Sequence, residues 1–253
     1  MGTSNKLNGK IAVVTGGSSG IGFAAAQAFA AEGALVYITG RRQAELDAAV
    51  LAIGPRAVGV QADSSKPADL ERLYARVQAD HGRIDVLYAN AGGGSMLPLG
   101  AITEKHYADT FDRNVKGVVF TVQQALPLLS AGASVILAGS TAALKGTASF
   151  SIYSASKAAV RALARSWVLD LKDRGIRVNT LSPGPIHTPG LAELAGPDTA
   201  QQQGLLDYLT GQIPIGRIGQ PRDVAAAAVF LASDDAGFIT GIDLFVDGGI
   251  AQI

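Results

Sequence analysis

Tyr153 and Lys157 stand four residues apart in "YSASK" (153–157), where an alanine-rich stretch of helical period begins. Residues four apart on a helix share a face, so the phenol and the ammonium project into the same space. On a solvated surface such a pair is ordinary. Inside a pocket, the cation favours the phenolate and lowers the pKa of the phenol. An unperturbed phenol titrates near ~10, too weak an acid to pass protons both ways at neutral pH, whereas a lowered one serves as general acid and base. The spacing alone leaves both readings open.

A second stretch, "TGGSSGIG" (15–22), follows the apolar run "IAVVT" and leads into a helical pattern. Glycines here let the chain turn tightly and approach a ligand, and a helix N-terminus offers free N–H groups to a phosphate. The order Gly16, Gly20, Gly22 is G-x-x-x-G-x-G, not the usual dinucleotide pattern G-x-G-x-x-G. "GGSSG" also fits the G-x-S-x-G elbow of α/β-hydrolases, with Ser18 as nucleophile and His81, His106 or His187 as its base. That elbow normally follows a strand deep in a sheet, and this turn follows the first strand.

These groups need elements to position them. Short β-branched runs alternate with longer Ala/Leu patterns of helical period: "IAVVT" (11–15), "ALVYITG" (34–40), "AVGVQAD" (57–63), "RIDVLYANAG" (83–92), "ASVILAGS" (133–140), "IRVNTLSPG" (176–184) and "DLFVDGG" (243–249). Strands apolar on both faces, separated by helices, predict a single α/β domain whose parallel sheet is covered on both sides. One long helical stretch is expected around 103–129. Residues 184–220 carry seven glycines and four prolines. They are expected to form an irregular, flexible lid over a site.

Composition excludes several function classes. Lysine plus arginine equals aspartate plus glutamate at 21 each, so no basic footprint for nucleic acid or a membrane surface is expected. The chain has no cysteine, which removes disulfides and thiolate chemistry. The N-terminal "MGTSNKLNGK" has no apolar run, and no stretch is apolar for long enough to span a bilayer. A cytoplasmic protein is expected. The three histidines show no metal-ligand spacing, and no metal is expected.

Taken together, "TGGSSGIG", Asp63, "NAG" (90–92), Asn114 in "RNVKG", Ser140, "YSASK", "PGPIHT" (183–188) and "TGIDLFVDGG" (240–249) occur in an order that resembles the short-chain dehydrogenase/reductase family over nearly the whole chain. The resemblance implies a Rossmann-type doubly wound sheet of order 3-2-1-4-5-6-7 that binds a nicotinamide dinucleotide. It implies a catalytic set of Asn114, Ser140, Tyr153 and Lys157. Cofactor contacts would come from Gly16, Ser18, Ser19, Gly20, Ile21 and Gly22 in the turn, and from Asp63 (at the adenine) with Ser64. Further contacts would come from Asn90, Ala91 and Gly92, from Pro183, Gly184, Ile186 and Thr188 near the carboxamide, and from Tyr153 and Lys157. When a ketone is reduced its oxygen gains negative charge, which Ser140 and Tyr153 can stabilise by hydrogen bonds before Tyr153 delivers the proton. Lys157 would lower the phenol's pKa and hold the ribose.

NAD-preferring relatives usually carry an acid at the end of the second strand. Here Gly40 stands there, followed by Arg41 and Arg42. An arginine fork suits a 2′-phosphate, so NADP(H) is expected over NAD(H). Met96, Leu97 and Leu144 suggest an apolar pocket for a small ketone or secondary alcohol. The enzymatic alternatives are a 3-oxoacyl-carrier-protein reductase and a polyol or sugar dehydrogenase. The non-enzymatic alternative is a nucleotide sensor. The family resemblance also implies a homotetramer.

Overall fold

The computed structural model describes residues 5–252. Seven apolar runs form strands: β1 (Ile11–Val14), β2 (Leu35–Gly40), β3 (Ala57–Gln61), β4 (Ile84–Ala89), β5 (Leu129–Ala138), β6 (Arg177–Pro183) and β7 (Asp243–Val246). They pair in one parallel sheet of order β3-β2-β1-β4-β5-β6-β7. The order reverses direction at β1 and β4, and at such a switch point a crevice opens beyond the strands' C-terminal ends.

The helices are α1 (Gly20–Ala31), α2 (Gln43–Ile53), α3 (Pro67–Asp80), α4 (Glu104–Phe111), α5 (Gly117–Ala125), α6 (Ser151–Asp170), α7 (Pro189–Ala192), α8 (Thr199–Gln212) and α9 (Pro221–Ala232). Successive strand side chains point to opposite faces. Ala12 and Val14 of β1 therefore pack in one core layer with Phe29 of α1, Leu46 of α2 and Leu231 of α9. Ile11 and Val13 pack in the other with Leu73 of α3, Val122 of α5 and Val160 of α6. Both faces are sealed, as the two-sided apolar runs predict.

Three elements depart from the sequence reading. The helical stretch expected over 103–129 is broken: α4 passes through a π-turn (Asp112–Lys116) into α5, which ends at Ala125. π-turns often mark functional positions, and Asn114 lies inside this one. Strand β5 starts at Leu129 and ends at Ala138, so Gly139 and Ser140 leave the sheet edge. The region 184–220 contains α7, a 3₁₀ turn (Glu193–Ala195) and the 14-residue α8, so the expected lid is largely helical. Among the described residues no helix is long and apolar enough to cross a membrane.

Candidate active site

The glycine turn joins β1 to α1. Gly16 and Gly20 have φ of 65° and 55°, a left-handed conformation that side chains other than glycine resist. A Cβ on Gly22 would collide with the Gly16 carbonyl oxygen and the Asn90 side chain. Asn90 secures the turn from the end of β4: its Nδ2 donates to the Thr15 and Gly16 carbonyls at 3.0 and 3.2 Å. Ser19 caps α1 with extended backbone but makes no side-chain cap bond, which leaves the helix's first N–H groups for an anion. Thr188 leans over the turn, its Cγ2 3.5 Å from where a Gly20 Cβ would stand.

Ser18 lies beneath Gly40, where a Cβ would come within 2.7 Å of the Ser18 Oγ. Among the described residues it has no hydrogen bond to a histidine, and nothing supports the hydrolase elbow. Arg42 is ion-paired with Glu45, one helical turn on. Arg41 is exposed and has no ion pair among the described residues, so of the two it is the free cation. Asp63 Oδ1 accepts from the Ser65 N–H and hydroxyl at 3.0 and 2.7 Å, capping the turn after β3, and its Oδ2 has no such partner. Ser64 is buried beside Gly117.

Tyr153 and Lys157 project from the first turns of α6 toward the end of β5. The Lys157 side chain is buried, with Nζ donating to the Ala138 carbonyl at 2.8 Å and lying 5.7 Å from the Tyr153 ring centre. Burial pushes its pKa down to about 8. Burial pushes the Tyr153 phenol up, opposed by a hydrogen bond from the Ser140 hydroxyl. In the cofactor-free protein desolvation therefore wins at the phenol; the expected lowering is one that Lys157 shares with the charge of an oxidised nicotinamide. Ser140 Oγ also accepts from the Ala142 N–H at 3.2 Å, which orients it at the strand exit. Asn114 is fully buried, its Oδ1 accepting from the Gly93 N–H at 2.9 Å and its Nδ2 donating to the Gly93 carbonyl at 2.9 Å. A Cβ on Gly92 would stand 2.9 Å from Asn114 Oδ1 and 3.3 Å from Lys157 Nζ. Ser140, Tyr153, Lys157 and Asn114 thus gather beyond the C-terminal end of β5, in the interior of the sheet.

Beyond β6, Gly184 lets β6 and β7 converge, since a Cβ there would meet Asp247 at 2.8 Å. Pro183 ends β6, and its carbonyl lies 3.4 Å from the Thr141 hydroxyl. Ile186 is a core residue at 4% exposure, so only its backbone can face a carboxamide. A cavity of about 640 Å³ lies between Ile186, Ile215, Arg222 and Phe245, and none of Asn114, Ser140, Tyr153 and Lys157 lines it. Two loops near Tyr153 are joined where the Leu97 N–H donates to the Ser149 carbonyl at 2.6 Å. Met96 and Leu144 are exposed on these loops.

Two residues around Tyr153 escaped the sequence reading. Phe150 stacks on its ring at 4.4 Å between centres and 24° between planes. Gly94 lies so close that a Cβ would come within 2.5 Å of the ring. The run of three glycines at 92–94 was the available signal. Among the described residues no cluster of potential ligands could hold a metal.

A family model described as enoyl-(acyl carrier protein) reductase matches residues 16–251. The oxidoreductase asL5 of Sarocladium schorii is 49% identical over 255 residues, covering 100% of both chains. An NADP-dependent (R)-specific alcohol dehydrogenase of Lentilactobacillus kefiri is 36% identical over 253 residues, covering 97% of this chain and 98% of that one. A crystal structure of a short-chain dehydrogenase/reductase described as a glucose/ribitol dehydrogenase, from Brucella melitensis, superposes with a TM-score of 0.91 at 32% identity, covering 97% of this chain and 98% of that one. With the seven-strand order and the site at the switch point, these matches make the chain an oxidoreductase of the short-chain dehydrogenase/reductase family.

Proposed function

We propose that this protein interconverts a ketone and a secondary alcohol using NADP(H), with Tyr153 as general acid and base. The carrying observation is the half-buried Tyr153 phenol beside Ser140 and the sealed Lys157, facing the strand ends next to an uncapped glycine turn. The residues fit a dinucleotide: phosphate at the α1 N-terminus, adenine amino group at the free Asp63 Oδ2, and a 2′-phosphate at Arg41. When bound, the cofactor supplies or accepts the hydride. Ser140 and Tyr153 hydrogen-bond the carbonyl oxygen as it gains charge, and Tyr153 passes its proton to that oxygen. The raised phenol holds its proton at rest, so a positive charge beyond that of Lys157, from an oxidised nicotinamide, is needed for the reverse direction.

The exposed apolar Met96 and Leu144 on the loops near Tyr153 favour an apolar ketone over a polyol. Arg41, and the NADP dependence of the Lentilactobacillus relative, support NADP(H). We place the enzyme in the cytoplasm as a homotetramer, with 184–220 as the substrate lid. The test is a screen of ketones, 3-oxoacyl thioesters and polyols with both cofactors. Tyr153→Phe is expected to lower turnover on any active substrate by about 10²–10⁴-fold while NADPH still binds. Near-normal turnover would sink the assignment.

A further inference from the structure

We propose that Ser156 is a positioning residue for the reaction: its hydroxyl fixes which way the Asn114 carboxamide faces and so sets the wall beside Lys157. The proposal rests on the reductase reading above. Ser156 is fully buried, as is Asn114. Its Oγ donates to the Tyr153 carbonyl at 2.6 Å and accepts from Asn114 Nδ2 at 2.9 Å. A hydroxyl has one proton to give. With that proton committed to Tyr153, Ser156 can only accept from Asn114, so the amide nitrogen, not the oxygen, must face it. The rest of the carboxamide is then determined. Nδ2 uses its second hydrogen on the Gly93 carbonyl, and Oδ1 takes the Gly93 N–H.

A serine inside a helix often makes no more than a local bond to a carbonyl one turn back. Here the same oxygen also ties the first turn of α6 to the π-turn that carries Asn114. The consequence reaches the site through Gly92. Asn114 Oδ1 and Lys157 Nζ crowd the same backbone carbon, 2.9 and 3.3 Å from where its Cβ would be. Without the hydroxyl, Nδ2 is left a buried donor with an empty hydrogen. The carboxamide must then turn or admit water, and the Gly92–Gly93 backbone loses its anchor. Gly92 and Lys157 also border the cofactor, but the glycine turn and Arg41, which would hold its phosphates, lie outside this network, so NADPH affinity should change less than kcat.

The experiment compares Ser156→Ala, Ser156→Thr and Tyr153→Phe on one ketone, with kcat, KM for NADPH and thermal midpoint for each. Ser156→Ala removes the oxygen without adding volume. Its kcat is expected to fall about tenfold, the size of one lost charged or buried hydrogen bond, with KM for NADPH within about twofold and the midpoint lower by only a few degrees. Ser156→Thr keeps the hydroxyl and is expected to recover most of the kcat. Wild-type kcat in Ser156→Ala overturns the proposal, as does a loss that falls equally on NADPH affinity and folding. A folded Ser156→Thr no better than Ser156→Ala also overturns it, and if Ser156→Thr does not fold, the kcat-against-KM split in Ser156→Ala decides alone. Normal turnover in Tyr153→Phe would instead remove the reductase reading, which separates the two failures.

Discussion

At Lys157 the site sets a lysine charge against burial. Its folded pKa of about 8 lies below the ordinary 10.5, so at neutral pH the folded protein still carries the sealed ammonium, but holds its proton less tightly than the unfolded chain does. Each unit is worth about 1.4 kcal/mol, which makes the cost on the order of 3 kcal/mol in the cofactor-free protein. Between pH 8 and 10.5 the folded state binds fewer protons than the unfolded one, so this cost fades as pH rises through that window. Lys157→Met is therefore expected to raise the thermal midpoint at pH 7 while abolishing turnover, with the gain gone above pH 10.5; a lower midpoint at pH 7 would refute this. Gly94 sets a second constraint, because any side chain there meets the Tyr153 ring. Gly94→Ala is expected to cut kcat at least about tenfold by displacing the phenol, with NADPH affinity retained; unchanged kcat would show that the ring can move aside. For cofactor choice, Gly40 is a poor place to test, since a Cβ there presses on Ser18. Arg41→Ala is cleaner, and is expected to weaken kcat/KM for NADPH roughly tenfold while leaving NADH unchanged; an unchanged ratio would remove the NADP assignment. The Tyr153–Lys157 pair was legible because helical spacing decides which side chains meet. The direction of the Tyr153 shift was not, because spacing carries no information about desolvation, and Gly94 and Ser156 matter only through neighbours distant in sequence.

Elements were legible where periodicity decides and misread where tertiary contacts do. The seven strands were found in order because the inner ones are buried on both faces, which makes them continuous apolar runs, and the edge strands β3 and β7, only partly buried, are still rich in apolar residues. The π-turn at Asp112–Lys116 was not, since "DRNVK" has ordinary helical composition and the turn serves the Asn114 bonds to Gly93 and Ser156. The glycines and prolines of 184–220 suggested a loop, yet they mostly bracket its helices: Pro189 opens α7, and Gly196 (φ 86°) precedes α8. Its base is pinned. The Gly219 N–H donates to the Pro185 carbonyl, the His187 N–H to the Gly219 carbonyl, and Ile186 and Ile213 are buried at either end. Between them α8 has no buried residue. A helix without buried contacts opens at low cost, and so this segment is suited to close over a substrate. In hydrogen exchange, α8 amides are expected to exchange much faster than those of α6 in the free protein, and to slow when NADPH and a substrate analogue are added together. Equal, slow exchange in both helices from the outset would leave 184–220 a rigid wall and not a lid.

At the scale of the whole molecule, apolar side chains remain on surfaces the fold does not cover. Phe238 is fully exposed, and Leu169 near the end of α6 and Ile242 before β7 are exposed with it. Tyr107 stacks on Phe111 at 4.6 Å on α4 while half its surface meets solvent. Tyr107 and Leu169 lie on α4 and α6, Ile242 lies at the start of the C-terminal segment 241–253, and Phe238 lies just before it. The cavity bordered by Phe245 and Ile215 also draws on the C-terminal segment, and Tyr153 does not line it. A chain with no net charge offers no long-range repulsion between copies. Two distinct self-complementary faces generate a closed tetramer with three two-fold axes, whereas one face stops at a dimer. Burying one exposed phenylalanine in each subunit contributes about 2 kcal/mol per contact, so a charge placed there should open one interface and spare the other. Light scattering is expected to give four times the chain mass for the wild type and twice the chain mass for Phe238→Glu, with the Tyr153 chemistry still measurable in the dimer. A monomer at micromolar concentration in the wild type would end the proposal, and a tetramer that persists in Phe238→Glu would move the interface away from this face.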